Sequence, residues 1–138
     1  MPHDLLLRLT AAAALCAAAV ALYRLVSALV LRRAGRAVGG TSLLPPGVPG
    51  IVYFTTKDCA TCKSAQRPAL SALERQMDVR VIEVDAGERP DLARQWSVLS
   101  VPTTFILDRN GKPRQINHGF ASARKLRVQL ESVMEAAG

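Results

Sequence analysis

With 138 residues, the chain has room for one ordinary domain and an appendage but not for two full domains. Its 49% apolar and 4% aromatic content reflects alanines and leucines crowded into the first thirty residues, and its net charge of +7 leaves residues 41–138 only mildly basic. No lysine or arginine run carries interleaved aromatic residues, which argues against nucleic acid as a partner. Three cysteines are too few for a disulfide framework.

Residues 1–34 predict an N-terminal membrane anchor. The segment 5–31 is apolar except for Arg8 and Arg24. It can span a hydrocarbon core of about 30 Å if the arginines extend toward the headgroups. We expect one transmembrane helix that holds the protein to the membrane through residues 5–31. A cleaved signal peptide and a buried globular helix are the alternatives, but the apolar character beyond Arg24 is less typical of a signal peptide.

The charges that flank this segment predict its orientation. Arg32, Arg33 and Arg36 follow it, whereas Arg8 and the α-amino group on the other side are offset by Asp4. Because positive charge is retained on the cytoplasmic side, we expect a single-pass cell-membrane protein with its C-terminal domain on the cytoplasmic face. The extracytoplasmic face is the alternative.

Residues 35–50 contain five glycines and three prolines, which predicts a linker that lets the domain stand off the bilayer. Residues 51–138 then alternate strand and helix patterns in the order βαβαββα, which predicts an α/β domain with a mixed sheet flanked by helices. The predicted strands are Ile51–Thr55, Val79–Val84, Thr103–Asp108 and Pro113–His118. The predicted helices run from Cys59 to about Gln76 with a kink at Pro68, from Pro90 to Gln95 or Trp96, and onward from Ser122.

Two cysteines, in Cys59-Ala60-Thr61-Cys62, lie where the first strand passes into a helix. Three-residue spacing at a helix start puts both sulfurs on one face, where they can form a bridge. The free N–H groups and the positive dipole end of the helix stabilise a thiolate, which is the attacking species in disulfide exchange. This pattern favours a redox site.

Several further motifs fit one family in order and spacing. They are Lys63 directly after the cysteine pair, Val84-Asp85 at the end of the second strand, Val101-Pro102-Thr103, Asn110-Gly111, and Gly119 before the last helix. On these residues the chain resembles the thioredoxin family over essentially all of residues 51–138. The resemblance implies a thioredoxin-like fold and thiol–disulfide exchange, with the cysteines themselves carrying the electrons and no metal or organic cofactor.

The resemblance also implies roles for individual residues. Cys59 is similar to the exposed attacking thiolate, and Cys62 to the buried thiol that closes the disulfide. Pro102 is similar to the family's cis-proline, which presents the backbone of Val101 to an extended substrate. The implied partners are protein disulfide substrates and an upstream dithiol reductant.

Three other residues complete the predicted substrate-facing set. Ala60 and Thr61 separate the two cysteines, and Trp96 is expected to pack near the site, with substrate contact as its second role.

The chain also departs from the family pattern. Tyr53 occupies the position of the usual buried aspartate, and a phenol with a reference pKa of about 10 is a poor base. Ala60-Thr61 replaces the common Gly-Pro, and Asp58 replaces the usual tryptophan. The first βα unit of a full-length thioredoxin is missing, with linker in its place.

Competing interpretations remain. A zinc site needs four ligands, and only His3, His118 and Cys16 are left to join the cysteine pair, so metal binding is not favoured. His118 is expected to be a surface residue at a strand end. The sequence therefore predicts a membrane-tethered thiol–disulfide oxidoreductase that reduces protein disulfides. The alternatives are an extracytoplasmic oxidase, isomerase or cytochrome-assembly reductant, and a non-catalytic binding module or redox sensor.

Overall fold

Four strands form one mixed sheet in the computed structural model, which describes residues 2–38, 43–45 and 47–136. The strands are β1 (Gly50–Thr55), β2 (Arg80–Asp85), β3 (Thr103–Leu107) and β4 (Pro113–His118). Their order across the sheet is β2-β1-β3-β4, with β1 and β2 parallel and the other pairs antiparallel. A parallel pair requires a crossover connection, which the helical segment after Thr55 supplies.

The helices confirm the predicted order βαβαββα after the first apolar helix. They are α1 (Pro2–Val38), a π-helical segment (Cys62–Gln66) that leads directly into α2 (Arg67–Glu74), α3 (Pro90–Gln95) and α4 (Ala123–Glu135). Each strand begins and ends within one residue of its predicted bounds. The last helix begins as expected, because the Ser122 hydroxyl accepts the backbone N–H of Lys125.

Pro68 distorts its helix without ending it. A proline has no N–H to donate, so the regular hydrogen-bond ladder cannot pass through this position. The ladder widens immediately before it, and the N–H of Arg67 donates to the carbonyl of Cys62. The expected distortion therefore takes the form of a π turn on the segment that begins with Cys62.

Both faces of β1 are buried, in agreement with its continuous apolar sequence. Ile51 and Tyr53 point into a cluster with α2 and α4, whereas Val52 and Phe54 point into a second cluster on the other face. Three aromatic rings organise this second cluster. Phe54, Trp96 and Phe105 lie with ring centroids 4.9 to 5.8 Å apart in tilted and edge-to-face arrangements.

The C-terminal part of α1 packs on the same face of the sheet. The sequence predicted an anchor helix followed by a linker here and did not predict this packing. Val30 and Ala34, one turn apart, are buried in the cluster with Trp96 and Phe105. The helix continues to Val38, four residues into the predicted linker. Of the remaining linker positions, residues 39–42 and 46 lie outside the described residues.

The N-terminal part of α1 is different, because every side chain described between Asp4 and Val26 is exposed. The stretch Asp4–Arg36 is long and apolar enough to cross a membrane, and its most apolar 18-residue window has a mean hydropathy of 2.2. A signal sequence near an N-terminus meets the same criterion of length and composition. The helix thus has an exposed apolar part and a packed part.

The packed part of α1 can be tested by truncating one side chain. Val30→Ala removes about two buried methylene equivalents and should lower the free energy of unfolding by roughly 1.5 kcal/mol. Val20→Ala is the matched control, because Val20 is 55% exposed and its truncation should leave that free energy unchanged. Denaturant unfolding of the detergent-solubilised chain, followed by the fluorescence of buried Trp96, measures both. Equal effects of the two substitutions would contradict the packing of α1 on the sheet.

Candidate active site

Cys59 and Cys62 form a disulfide at the start of the helix that follows β1. Their sulfurs are 2.12 Å apart and their Cα atoms 5.2 Å apart. The two residues differ in exposure, since Cys59 is partly exposed whereas Cys62 is only 1% exposed. An external disulfide can therefore reach the first sulfur, while the second is accessible only from within the protein.

Backbone geometry favours negative charge on the Cys59 sulfur. The N–H of Cys62 donates to the Sγ of Cys59 at 3.2 Å. This N–H belongs to the first turn of the helix, where donors have no partner in the helix itself and the dipole is positive. A thiolate generated at Cys59 on reduction would keep this hydrogen bond and the favourable dipole.

Two basic side chains near the pair are compensated by carboxylates. Lys57 forms an ion pair with Glu88 at 2.5 Å, and its hydrogen bond to Glu88 raises the pKa of the Lys57 ammonium. Arg67, one turn beyond the pair, is paired with Glu83. Lys57 therefore offers the thiolate less net positive charge than its position in the sequence implies, whereas the helix N-terminus remains a local source of positive potential.

The loop before β3 lies at the same edge of the sheet. The Val101–Pro102 peptide bond is cis, as the family resemblance implied. The carbonyl of Pro102 accepts the N–H of Gly119 at 2.8 Å. Gly119 has a φ of +86°, a conformation that side-chain-bearing residues adopt with strain. Val101 is partly buried and contacts the core clusters on both faces of the sheet, as Cys59 contacts the cluster around Cys62.

The structure brings several predicted residues to the surface around this edge. Ala60 and Thr61 are exposed between the cysteines. Two further apolar side chains, which the sequence did not single out, extend the surface: Leu99 is 79% exposed and Phe120 is 50% exposed. Each lies in the loop next to a recognised position, Leu99 two residues before Val101 and Phe120 directly after Gly119. Their position beside these landmarks was the only available signal.

Gln66 is a second residue that sequence reasoning missed. Its side chain is fully buried, its Nε2 donates to the carbonyl of Ala121 at 3.1 Å, and its Oε1 accepts the N–H of Ala121 at 2.9 Å. This paired contact ties the helix carrying the cysteines to the loop after Gly119. A single glutamine in an amphipathic helix gives no such signal, because its partner is 55 residues away.

Tyr53 lies fully buried in the same cluster as Cys62. Its hydroxyl has no hydrogen-bond partner within the described part of the chain, and the nearby Thr55 hydroxyl donates to a backbone carbonyl instead. Burial raises the pKa of the Tyr53 phenol, which the neighbouring Thr55 offsets only in part. Tyr53 is therefore protonated at neutral pH and has no charge to contribute at this position.

Trp96 packs in the core as expected, because it is only 1% exposed and belongs to the aromatic cluster; a buried indole has no free surface for the substrate contact considered as its second role. His118 ends β4 as expected, but its ring is only partly exposed and lies edge-on against Tyr23 of α1, with centroids 6.0 Å apart. Burial lowers the pKa of His118, and the ring is neutral at pH 7.

Metal ligation finds no support among the described residues, where no group of three or more His, Cys, Asp or Glu side chains is close enough to hold an ion. The zinc alternative would need further ligands beside the cysteine pair. The arrangement is instead suited to dithiol–disulfide exchange, in which an accessible thiolate attacks a disulfide sulfur and a second thiol resolves the mixed disulfide.

Comparison with known proteins gives the same result. The thioredoxin family model matches residues 44–132. Thioredoxin from Mycobacterium tuberculosis is 36% identical over 96 residues, covering 68% of this chain and 81% of its own. Thioredoxin Y of Oryza sativa chloroplasts is 29% identical over 91 residues, covering 64% of this chain and 53% of its own.

Solved structures agree in fold. The crystal structure of chloroplastic thioredoxin z has a TM-score of 0.59 at 27% identity, covering 67% of this chain and 81% of that one. Thioredoxin from Fasciola hepatica has a TM-score of 0.57 at 26% identity, covering 64% of this chain and 84% of that one. With its bridged cysteine pair at a helix N-terminus and the family model matched across its domain, the chain belongs to the thioredoxin family and is a thiol–disulfide oxidoreductase.

Proposed function

We propose that this protein is a membrane-anchored reductant of protein disulfides, with its redox domain on the cytoplasmic face. The observation that carries the proposal is the asymmetry of the cysteine pair, in which Cys59 is partly exposed and accepts a helix N-terminal N–H while Cys62 is buried. An accessible, stabilised thiolate is what attack on an external disulfide requires.

The reaction consists of two exchanges. The Cys59 thiolate attacks one sulfur of the substrate disulfide, forming a mixed disulfide and releasing the other substrate sulfur as a thiolate. Cys62, deprotonated, then attacks the Sγ of Cys59, forming the intramolecular bridge and releasing the second substrate sulfur. Two electrons and two protons pass from the protein dithiol to the substrate. An upstream dithiol then reduces the Cys59–Cys62 bridge by the reverse sequence.

A substrate segment would be held by the surface around the cysteines. The backbone of Val101 would receive an extended chain by main-chain hydrogen bonds, a mode of binding that tolerates many sequences. Ala60 and Thr61 are exposed directly after Cys59, and Leu99 and Phe120 add exposed apolar area.

The anchor is supported by the exposed apolar part of α1, which no other described part of the chain covers. Arg32, Arg33 and Arg36 follow the span and favour the cytoplasm for the domain that comes after it. A cytoplasmic domain would be exposed to the reducing thiols of the cytoplasm, which keep a dithiol reduced. This agrees with a reductant rather than an oxidase.

Cysteine substitutions test the two exchanges. In the full chain, Cys59→Ser should reduce a disulfide-bonded peptide no faster than the uncatalysed background, because the attacking sulfur is lost. Cys62→Ser should accumulate a mixed disulfide that resists resolution, visible as a dithiothreitol-sensitive adduct by mass spectrometry. Cys16→Ser is the control, since that exposed cysteine in α1 has no part in the exchange, and its activity should equal that of the wild type. Retained peptide reduction in Cys59→Ser would refute the mechanism, whereas a wild-type chain that reduces no peptide would favour a binding module.

Membrane sidedness is tested with single cysteines placed on either side of the span. In a chain with Cys16, Cys59 and Cys62 changed to serine, Asp4→Cys should react with a membrane-impermeant maleimide in sealed cells. Arg109→Cys, exposed on the domain, should react only after permeabilisation. The reverse pattern would place the domain outside the cell and favour an extracytoplasmic oxidase, isomerase or cytochrome-assembly reductant. Loss of residues 1–34 from the mature chain would indicate a signal peptide.

A further inference from the structure

Two contacts fix the direction in which α1 crosses the sheet. The ring of Tyr23 lies edge-on to His118, the last residue of β4. One end of the packed segment is therefore at the end of β4. Twelve residues later, a Cβ built on Gly35 would lie 4.0 Å from the Cγ of Pro113, the first residue of β4. The helix therefore runs antiparallel to β4, and Tyr23 marks the point at which it leaves the sheet.

At Tyr23, α1 leaves the sheet at the side where β1 ends and β3 begins, next to Cys59 and the Val101–Pro102 bond. We call this side, formed by the strand ends at Thr55, Thr103 and His118, the redox edge. His118 pairs with Thr103, which directly follows the cis Val101–Pro102 bond, and the next residue donates its N–H to Pro102. Thr103 in turn pairs with Phe54, next to the end of β1 that leads to Cys59. Only β3 separates β1 from β4, so the end of β1 lies about 10 Å across the sheet from His118.

The exposed part of α1 projects outward from this edge. Residues 4–22 form 19 residues of helix beyond Tyr23 with exposed side chains, a length of about 28 Å. That length matches a hydrocarbon core of about 30 Å. If residues 4–22 span the bilayer, the membrane surface lies at Tyr23, with Arg24 at headgroup level, and the redox edge of the sheet faces the lipid.

A groove lies between α1 and the loop that leads to Val101. It has a volume of about 240 Å³, and it is lined by Val26, Leu29, Val30, Arg33, Ser97 and Leu99. Leu99 is two residues from Val101, whose backbone flanks the cis bond. A chain that leaves the bilayer next to α1 can therefore follow an apolar track to the edge at Val101 without crossing the domain.

We infer that the substrates of this site are disulfides in membrane-proximal segments of integral membrane proteins, within the first few residues after a transmembrane span. This inference rests on the proposed function and adds the substrate class. The packed helix holds the cysteines toward the bilayer, so that a disulfide near the membrane surface meets Cys59 at high effective concentration. A disulfide held far from the membrane is on the side of the domain that faces away from Cys59.

Three substrates that carry one identical disulfide loop test the inference. The first has the loop directly after a single transmembrane helix, the second has it beyond a rigid helical spacer of about 40 residues, or about 60 Å, and the third is the soluble loop peptide. Prereduced full-length protein is reconstituted with each in phosphatidylcholine–phosphatidylglycerol vesicles, and single-turnover reduction is followed. We expect the near loop to be reduced at least about tenfold faster than the far loop.

A decoupled variant serves as the matched control. A ten-residue Gly/Ser insertion after Leu22 leaves the packed half of α1 in place but frees the domain to turn away from the bilayer. The ratio of near to far rates should fall toward one, while the rate on the soluble peptide stays unchanged. Equal rates for near and far loops with the uninterrupted chain would overturn the inference alone, whereas failure to reduce the soluble peptide would overturn the proposed function itself.

Discussion

The packing of Val30 and Ala34 of α1 against the aromatic face of the sheet is the contact on which the arrangement of the molecule depends. Without it, α1 and the domain would be separate bodies joined by a Gly/Pro-rich segment, and the site could point in any direction. With it, one uninterrupted helix belongs both to the core and to the proposed membrane span. Because a helix is stiff over this length, docking one half fixes the direction of the other relative to the cysteines.

The chemistry of the site depends on a smaller set of constraints at one edge of the sheet. The N–H of Cys62 polarises the Cys59 sulfur, and the cis bond before Pro102 lies in the loop before β3. The Gln66 side chain ties the cysteine helix to the loop after Gly119, and the N–H of Gly119 donates to the carbonyl of Pro102. These contacts join residues far apart in sequence, so the sheet must form before the site exists. Tyr53, buried and neutral in the same cluster as Cys62, adds no charge to the site, whereas the N–H of Cys62 and the helix dipole favour the thiolate.

Local patterns predicted most of the fold, because strand alternation, turn residues and the cysteine spacing act over a few residues. They identified all four strands within one residue, the parallel first pair and the helix cap at Ser122. They did not predict the docking of α1, because Val30 and Ala34 look alike in a lipid-facing and in a core-facing helix. The environments of Gln66 and His118 were likewise hidden, since each is decided by partners from distant elements.

The orientation of the redox edge toward the bilayer is measured most directly by the proximity of labels to lipid headgroups. In a chain with its three native cysteines changed to serine, a fluorophore at Thr61→Cys reports the redox edge, and one at Asn110→Cys reports the turn before β4 at the opposite edge. Vesicles containing nitroxide-labelled headgroups should quench the label at position 61 much more strongly than the label at position 110. Equal quenching, or stronger quenching at position 110, would contradict the account.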